Sequence, residues 1–364
     1  MPKVYLGMSG GVDSSVSAIL LQEQGYEVIG CYMKNWSKDL PGAHCPWAED
    51  LADAKRVATK LGIDFKVFDF ESQYKQKVVD YMISEYRAGR TPNPDIMCNQ
   101  EIKFKLFYDI AIGEGADFVA TGHYAQIIDG KLAQAVDTAK DQTYFLARMP
   151  REALAKTLFP VGHLKKSEVK QIASDHNLTV ASKKESMGIC FVGEVDIRQF
   201  LKQYIKAEAG PIIDAVTNER VGTHEGVPFY TIGQRHGLYL ASDLPYYVIR
   251  KDIDNNTLYV SKDLNAPELW SGEVTVKEVD NGLLRQLRAT GEQASETGDD
   301  RLERSAVAEE YFDVLARVRH RAPLIPVTLK DNTVRFNEPQ KALSPGQFIV
   351  FYQDNFVVGS AVIA

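Results

Sequence analysis

The first 121 residues alternate between two patterns of apolar and polar positions. Short apolar runs have the length and composition of buried strands, and they cover residues 3–8, 27–34, 64–70 and 117–121. Apolar residues at helical spacing fill the intervals, beginning at Val12 and returning at 47–62, 74–89 and 99–115. This alternation predicts an α/β fold, a doubly wound parallel sheet with helices on both faces.

The pattern changes twice in the rest of the chain. Helical spacing dominates 165–210, in KKSEVKQIASDHN and VDIRQFLKQYIKAEA. From 211, short alternating runs separated by Gly, Asn and Asp are typical of antiparallel strands in a small barrel, and polar 289–306 reads as an exposed insertion. We therefore predict an α/β domain over 1–164, a small helical central domain over 165–210 and an antiparallel β-barrel-like domain over 211–364.

Composition narrows the class of protein. The chain has 364 residues and a net charge of −7, so a nucleic-acid partner would need a local basic surface. No apolar run approaches the roughly 18 residues of a membrane span, and the chain enters a strand at once, so we expect a cytoplasmic protein without a membrane partner. The four cysteines form no CxxC pair, which speaks against a zinc or iron–sulfur site, and we expect free thiols.

The stretch SGGVDSS, residues 9–15, lies between the first strand and the first helix. Free backbone N–H groups and the helix dipole favour an anion there, and glycines let a phosphate approach the backbone. The spacing fits neither a Walker A loop nor a dinucleotide fingerprint. Asp13 is a helix N-terminal residue, a Mg²⁺ ligand, or both. The alternative is a tight turn that binds nothing. SGGxDS resembles the PP-loop of adenylating ATP pyrophosphatases, which implies ATP as substrate and pyrophosphate as product.

The stretch RTPNPDIMCNQEIKF, residues 90–104, brings an acid and a thiol close together. The prolines disfavour helix before them, so we expect a helix to begin near Asn99. Cys98 would then lie at a helix N-terminus, where the dipole favours a thiolate. Asp95 could exchange protons with Cys98 or with a substrate. The alternative is a buried structural cysteine beside a capping aspartate.

A third stretch, SKKESMGICFVGE at 182–194, carries Cys190 between apolar neighbours and two glycines. An apolar strand with a buried thiol is one interpretation. The glycines favour the other, a mobile segment that presents the sulfur and withdraws it. Cys45, in HCPW, we interpret as incidental.

Together, SGGVDSS, NPDIMCN and GICFVGE closely resemble the tRNA-specific 2-thiouridylases. The resemblance continues through TGHYA, KDQTYFL, GVPFYTIGQRHGL and SPGQ, nearly end to end. It implies a sulfurtransferase with an adenine nucleotide alpha-hydrolase-like fold that uses ATP and Mg²⁺. The implied product is 2-thiouridine at the wobble position of tRNA(Lys), tRNA(Glu) and tRNA(Gln). The implied sulfur source is a persulfide from a sulfur-carrier protein or a cysteine desulfurase.

The resemblance also implies roles for individual residues. Cys190 would carry the persulfide, Cys98 would help to deliver the sulfur and pair with Cys190, and Asp95 would act as acid and base. Residues implied to hold ATP are Gly7, Met8, Ser9, Gly10, Gly11, Val12, Asp13, Ser14, Met33 and Gly122. Asn93 and Pro94, with Asp95, would shape the site of the target base. Implied tRNA contacts are His123, Lys140, Asp141, Gln142, Arg319, His320 and Gln347.

One of these contacts has independent support in the sequence. If ARVRHR, residues 316–321, is a strand, Arg317, Arg319 and Arg321 share one face and suit a phosphate backbone. The alternative is a solvated strand face. We also expect KDQ, residues 140–142, to start a helix. The departures from the family pattern are HCPW at 44–47, the length of 289–306 and a histidine at position 320.

Three other functions remain open at this stage. One is a different PP-loop enzyme that adenylates a small molecule or another RNA base, which needs no cysteine pair. Another is a non-catalytic RNA-binding protein with a vestigial nucleotide fold, against which the intact loop argues. The last is an iron–sulfur-dependent tRNA thiolase, against which the lack of a CxxC pair argues.

Overall fold

The structure is a computed structural model that describes residues 1–39, 45–183, 197–280, 282 and 311–364. The chain divides into two compact units. Unit 1 comprises Met1–Met82, Pro94–Phe200 and Asn355–Val357, and unit 2 comprises Ile83–Asn93, Leu201–Asp354 and Val358–Ala364. The division into three domains stays a prediction. None of the described helices is long and apolar enough to cross a membrane.

Unit 1 is built on a five-stranded sheet whose paired strands are all parallel. The first seven strands are β1 Lys3–Gly7, β2 Glu27–Lys34, β3 Asp64–Asp69, β4 Phe118–Thr121, β5 Gln126–Ile128, β6 Lys131–Ala133 and β7 Thr157–Leu158. The sheet has the order β3-β2-β1-β4-β7, whereas β5 and β6 form an antiparallel hairpin. The predicted parallel α/β sheet is confirmed. Strand β7 was not predicted, because it has only two residues and such a short strand leaves no pattern in the sequence.

Ten α-helical segments occur among the described residues. They are α1 Val12–Glu23, α2 Trp47–Leu61, α3 Glu71–Tyr74, α4 Asp80–Arg87, α5 Pro94–Met97, α6 Tyr108–Gly113, α7 Thr143–Leu146, α8 Arg151–Leu154, α9 Lys166–Asp175 and α10 Ile197–Leu201. The apolar face of α1 shares a core with β1, with α2 and with Val169 and Ala173 of α9. Residues 166–175, expected in a separate helical region, therefore contribute to the core of the sheet domain.

The helix expected to start near Asn99 starts earlier. Pro94 is its first residue, and α5 continues through a π-helical segment, Cys98–Phe107, into α6. A proline at this position is compatible with a helix because the first N–H groups have no intrahelical partner in any case. Cys98 is thus the fifth helical residue, beyond the first-turn amides. The predicted placement of its thiol at the helix N-terminus is wrong.

Unit 2 contains two β-structures. A four-stranded sheet, in the order β10-β11-β8-β9, is formed by β8 Gly210–Asp214, β9 Arg220–His224, β10 Tyr247–Asp252 and β11 Thr257–Ser261. Its β11–β8 pair is parallel. The remaining strands are β12 Trp270–Lys277, β13 Tyr311–Arg317, β14 Ile325–Lys330, β15 Thr333–Lys341, β16 Phe348–Gln353 and β17 Phe356–Ile363. They form a closed antiparallel six-stranded barrel, because β12 pairs with both β15 and β17. This confirms the predicted C-terminal barrel.

The interior of the barrel is apolar, with Val314, Leu329, Phe351 and Ala361 in its core. The predicted strand over 316–321 is wrong beyond Arg317, where β13 ends. The chain turns there, and Arg321 has a φ of +63°. Arg317, Arg319 and Arg321 therefore do not line one strand face. Most of the stretch 182–194 and all of 289–306 lie outside the described residues.

Candidate functional site

The carboxyl ends of three parallel strands meet at one edge of the sheet in unit 1. A Cβ atom added to Gly7 at the end of β1 would lie 2.9 Å from Cε of Met33 on β2. One added to Gly122, just after β4, would lie 2.6 Å from the backbone N of Ser14. The residues predicted to hold ATP are therefore brought together, at the edge where open α/β sheets bind ligands.

The SGGVDSS stretch forms a loop that ends in the N-terminus of α1. Gly10 has a φ of +72°, and Gly11 is the N-cap, without a side-chain capping hydrogen bond. The first backbone hydrogen bond of α1 runs from Ser15 N to Gly11 O, at 3.3 Å. The amides of Val12, Asp13 and Ser14 precede that bond, so the helix end can take an anion. The loop therefore fits the phosphates of ATP.

The serines of this stretch have partners within the loop. The hydroxyl groups of Ser14 and Ser15 donate to Gly11 O at 3.2 and 2.8 Å, and Ser9 N donates to Ser14 Oγ at 3.3 Å. Ser15 is fully buried. The hydroxyl of Ser15 therefore stabilises the first turn of the helix.

Asp13 is held by two partners that lie far from it in the sequence. The ammonium of Lys166 lies 2.7 and 2.9 Å from the two carboxylate oxygens, and the hydroxyl of Tyr124 donates at 2.9 Å. Among the described residues, no group of three or more His, Cys, Asp or Glu side chains could hold a metal ion. Both carboxylate oxygens of Asp13 are engaged by Lys166, and a role of Asp13 as a Mg²⁺ ligand stays a prediction.

A second lysine stabilises the outer side of the loop. Lys183 donates to Asp50 at 2.7 Å and to Asp53 at 2.5 Å, and its ammonium is 3.3 Å from Gly10 O. A Cβ atom at Gly10 would lie only 2.3 Å from Asp50 O, so α2 packs directly against the loop. Burial raises the pKa of Asp53, but hydrogen bonds from Lys183 and Arg56 outweigh it and leave that pKa below its usual value.

His123 is enclosed at the same edge of the sheet. Its ring lies near those of Phe104 and Phe159, its Nδ1 is 2.7 Å from Thr121 Oγ1, and its Nε2 is 3.2 Å from the ammonium of Lys103. An ammonium can only donate, so Nε2 accepts and Nδ1 carries the proton. Burial and the charge of Lys103 hold the pKa of His123 well below its usual value. His123 is thus neutral at pH 7.

The predicted sulfur-chemistry residues lie on the helix that follows the NPD motif. Asp95 is in its first turn, and Cys98 is fully buried at the start of the π-helical segment. The neighbouring Asn99 is anchored, because its amide donates to Phe145 O at 3.1 Å. Cys190 lies outside the described residues, so its pairing with Cys98 stays a prediction. Of the target-base residues, Pro94 begins the helix and Asn93 immediately precedes it.

The KDQ stretch does precede a helix, since Gln142 is the N-cap of α7. Asp141 is 2% exposed and accepts hydrogen bonds from Thr143 Oγ1 and Ala135 N. The side-chain oxygen of Gln142 accepts from Tyr124 N at 2.9 Å. Asp141 and Gln142 therefore shape this loop from within, whereas Lys140 is half-buried. Their tRNA contacts stay predictions.

The predicted tRNA contacts in unit 2 lie on barrel loops. Arg319 is exposed, and its guanidinium donates to Ala342 O. The carbonyl oxygen of the Gln347 side chain is buried and has no hydrogen-bond partner within the described structure. Pro345 O, in the same SPGQ loop, accepts a 2.7 Å hydrogen bond from Thr91 N, and His320 follows Arg319 in the turn.

Sequence reasoning missed the cations of the site: Lys103, Lys166 and Lys183. Lys166 meets Asp13 across 153 positions, and no spacing rule predicts such a contact. One signal was present in the sequence. Lys166 stands at the start of a predicted helix, where the dipole disfavours a cation, so an acidic partner was to be expected.

Three family models match the chain. The first, described as a tRNA methyl transferase HUP domain, matches residues 2–194. The second, a tRNA methyl transferase PRC-barrel domain, matches 198–262, and the third, an aminomethyltransferase beta-barrel domain, matches 301–363. The three matches cover the sheet of unit 1, the four-stranded sheet and most of the barrel in turn.

Curated relatives are similar over nearly the whole chain. The tRNA-specific 2-thiouridylase MnmA of Alkaliphilus oremlandii is 44% identical over 99% of this chain and 96% of its own length. The protein of the same name from Flavobacterium johnsoniae is 41% identical over the full length of both chains. Among solved structures, a 4-thiouridine synthetase–RNA complex with bound ATP is 17% identical, with a TM-score of 0.36, over 56% of this chain and 50% of that one.

Proposed function

The chain belongs to the tRNA-specific 2-thiouridylase family, and we propose that it replaces the C2 oxygen of the wobble uridine with sulfur in tRNA(Lys), tRNA(Glu) and tRNA(Gln). The observation that carries this proposal is the end-to-end similarity, at 44% identity, to a relative named for 2-thiouridine formation. The anion-binding end of α1, at the carboxyl edge of a parallel sheet, supports ATP as the activating substrate.

Activation is needed because oxygen is a poor leaving group from a uracil carbonyl. The C2 oxygen attacks the α-phosphorus of ATP, the bond to the β-phosphate breaks, and pyrophosphate leaves with the electron pair. The amides of Val12, Asp13 and Ser14 would hold the phosphates. Mg²⁺ enters this scheme as part of the substrate MgATP. The adenylated oxygen can then depart as AMP.

Sulfur follows as a persulfide on Cys190, supplied by a sulfur carrier or a cysteine desulfurase. Its outer sulfur attacks C2, and AMP leaves with the original oxygen. The thiolate of Cys98 then attacks the Cys190 sulfur, which frees the thiocarbonyl and forms a Cys98–Cys190 disulfide. Alternatively, Cys98 first reduces the persulfide, and the released hydrosulfide attacks C2. Both routes end in the same disulfide, which a reductant reopens, as the reducing cytoplasm would allow.

Because Cys98 is buried, this scheme requires a conformational change. The thiol is fully buried, so the target base and the persulfide must reach it through a rearrangement. Asp95, one helical turn earlier, would move the proton that the step requires. The wobble base must leave its stack to enter such a site, as enzymes that act on bases require. Asn93 and Pro94 would shape the pocket that receives it.

The remaining proposed tRNA contacts divide into two classes. Both ring nitrogens of His123 have partners within the protein, so a neutral His123 can offer RNA a ring face but no charge at pH 7. Exposed Arg319 can contact a phosphate directly, and Lys140 is a second candidate for such a contact. His320 and Gln347 lie on the barrel loops that carry or neighbour Arg319.

The test is a reconstituted reaction with purified protein, MgATP, a persulfide donor and unmodified tRNA(Lys). We expect AMP, pyrophosphate and 2-thiouridine, with the nucleoside identified by mass spectrometry. Cys98→Ser and Cys190→Ser should abolish thiolation, whereas Cys45→Ser, at a buried position outside the proposed chemistry, should not.

Three results would contradict the proposal. A methylated nucleoside would point to the chemistry in the printed description of the family model. Exchange of pyrophosphate into ATP that requires a small molecule and not tRNA would point to a small-molecule PP-loop enzyme. Full thiolation by both cysteine variants would remove the persulfide route.

A further inference from the structure

A nearly buried ammonium lies at the N-terminus of α1. The side chain of Lys166 is 10% exposed, and its Nζ is within 2.9 Å of both carboxylate oxygens of Asp13. Asp13 is the second residue of α1, so the ammonium lies within one turn of the amides that would hold an anion. Tyr124 borders it on another side, with the ammonium 5.6 Å from the centre of the ring.

Lys166 does not serve the helix on which it lies. It is the first residue of α9, where the dipole repels a positive charge. The N-terminus of α9 is instead satisfied by carboxylates, since Lys165 N donates to Glu168 at 2.6 Å and Lys166 N donates to Asp137 at 2.9 Å. The ammonium is thus directed away from its own helix and toward α1, at a cost in desolvation.

The backbone on both sides of this ion pair is fixed by packing. Val169 and Ala173 of α9 are buried in the same core as Val16 of α1. The carboxylate is oriented by Tyr124, and Tyr124 is in turn fixed by hydrogen bonds to Gln142. A cation held so firmly beside an anion-binding helix end needs little reorganisation when negative charge arrives.

We propose that Lys166 is a phosphate-binding residue that donates to the pyrophosphate part of ATP, and that Asp13 is a positioning residue that holds the ammonium in place. This inference rests on the proposed function and deepens it, because it names the charge that stabilises the leaving group. It also gives Asp13 a role that requires no metal. A negative charge building up on departing pyrophosphate would strengthen the contact in a site that excludes water.

A simpler role for Lys166 is to neutralise Asp13 and nothing more. The two roles differ in a double variant. If Lys166 only neutralises Asp13, the combination Asp13→Asn with Lys166→Met removes both charges and restores binding as well as stability. If Lys166 donates to phosphate, the double variant regains stability but not affinity for pyrophosphate.

The experiment measures affinity for magnesium pyrophosphate and for MgATP by calorimetry, together with melting temperature, in the full chain. We expect Lys166→Met to lower both stability and affinity, and the double variant to recover the melting temperature while binding pyrophosphate about tenfold more weakly than wild type. Lys166→Arg should recover part of the affinity. Lys165→Met, which removes the exposed neighbouring lysine, is the matched control and should bind as wild type does.

Wild-type affinity in the double variant overturns the inference. This test is independent of the test of the proposed function. A protein that binds MgATP through Lys166 but never thiolates tRNA would support the role of Lys166 and refute the proposed function. A wild-type protein that binds neither magnesium pyrophosphate nor MgATP refutes both.

Discussion

Gly10 and Gly11 are neighbours in the loop before α1, but only one of them is required by backbone geometry. Gly10 has a φ of +72°, and an added Cβ would lie 2.3 Å from Asp50 O. Gly11 has a φ of −94°, which any residue adopts, and its added Cβ would meet only Ser9 Oγ, at 3.3 Å. Gly10 is therefore required for the loop to fold, whereas the backbone geometry does not require a glycine at position 11.

Gly10→Ala should destabilise unit 1 by about 2 kcal/mol or more, because it combines left-handed strain with a backbone clash. The melting temperature should fall by roughly 4–8 °C. Gly11→Ala changes only the N-cap and should cost less than about 1 kcal/mol. Thermal unfolding followed by circular dichroism measures both, and equal losses would contradict the assignment of strain to Gly10.

His123 gives the molecule a predictable response to acid. Its pKa in the folded state lies well below the ordinary value of 6.5, because of burial and the charge of Lys103. Below about pH 6.5 the unfolded chain binds a proton that the folded chain refuses, so stability falls as the pH drops. His224 of unit 2 has the same direction of shift, from burial opposed by a hydrogen bond to Asn256.

We therefore expect the melting temperature to decrease between pH 7 and pH 5, with a shallower decrease in His123→Gln. The variant loses the contacts to Thr121 and Lys103 and should be less stable at pH 7, so the slope, and not the absolute value, is the measurement. His236→Gln removes an exposed histidine and serves as the control. A slope unchanged in His123→Gln would show that His123 binds a proton in the folded protein.

At the scale of elements, strands were the most predictable feature. The run 27–34 matches β2 residue for residue, because a continuous apolar run leaves little choice for a strand buried on both faces. Helix starts were harder, since Pro94 opens a helix that the sequence interpretation placed after Met97. The barrel strand was overextended because the alternation in ARVRHR continues past the end of β13 into a turn.

The contact between α2 and the loop is an element-scale feature that no local pattern predicts. Lys183 is 173 positions from Gly10 in the sequence, yet its ammonium contacts the backbone oxygen of Gly10 and binds Asp50 and Asp53 of α2. Propensity and spacing report only on near neighbours, so they reveal the glycines of the loop but not the lysine that supports it.

Lys183→Met should weaken MgATP binding by about tenfold, because it leaves Asp50 and Asp53 uncompensated beside the loop. Arg56→Met is the matched control, because Arg56 also binds Asp53 but is more than half exposed. It should change MgATP affinity by less than about twofold. Calorimetry measures the MgATP affinity of both variants. If both lose affinity equally, the cause is the uncompensated charge of Asp53 and not the contact of Lys183 with the loop.

At the scale of the whole molecule, the chain contains separate cores. One lies beneath the parallel sheet of unit 1 and another fills the barrel of unit 2. Composition and alternation predicted this change of architecture along the chain. They could not predict that α9 shares the core of the sheet, because an amphipathic helix does not reveal which apolar surface it will cover.

Two cores of this kind imply that heat unfolds the chain in more than one step. A ligand stabilises only the unit that binds it, by about 2.7 kcal/mol at a concentration one hundred times its dissociation constant. Because the proposed ATP-binding end of α1 lies in unit 1, we expect MgATP to raise one calorimetric transition and leave the other in place. Magnesium chloride alone is the control. A single transition would show that the two units unfold as one. Two transitions that rise together would show that the nucleotide stabilises the barrel as strongly as the sheet.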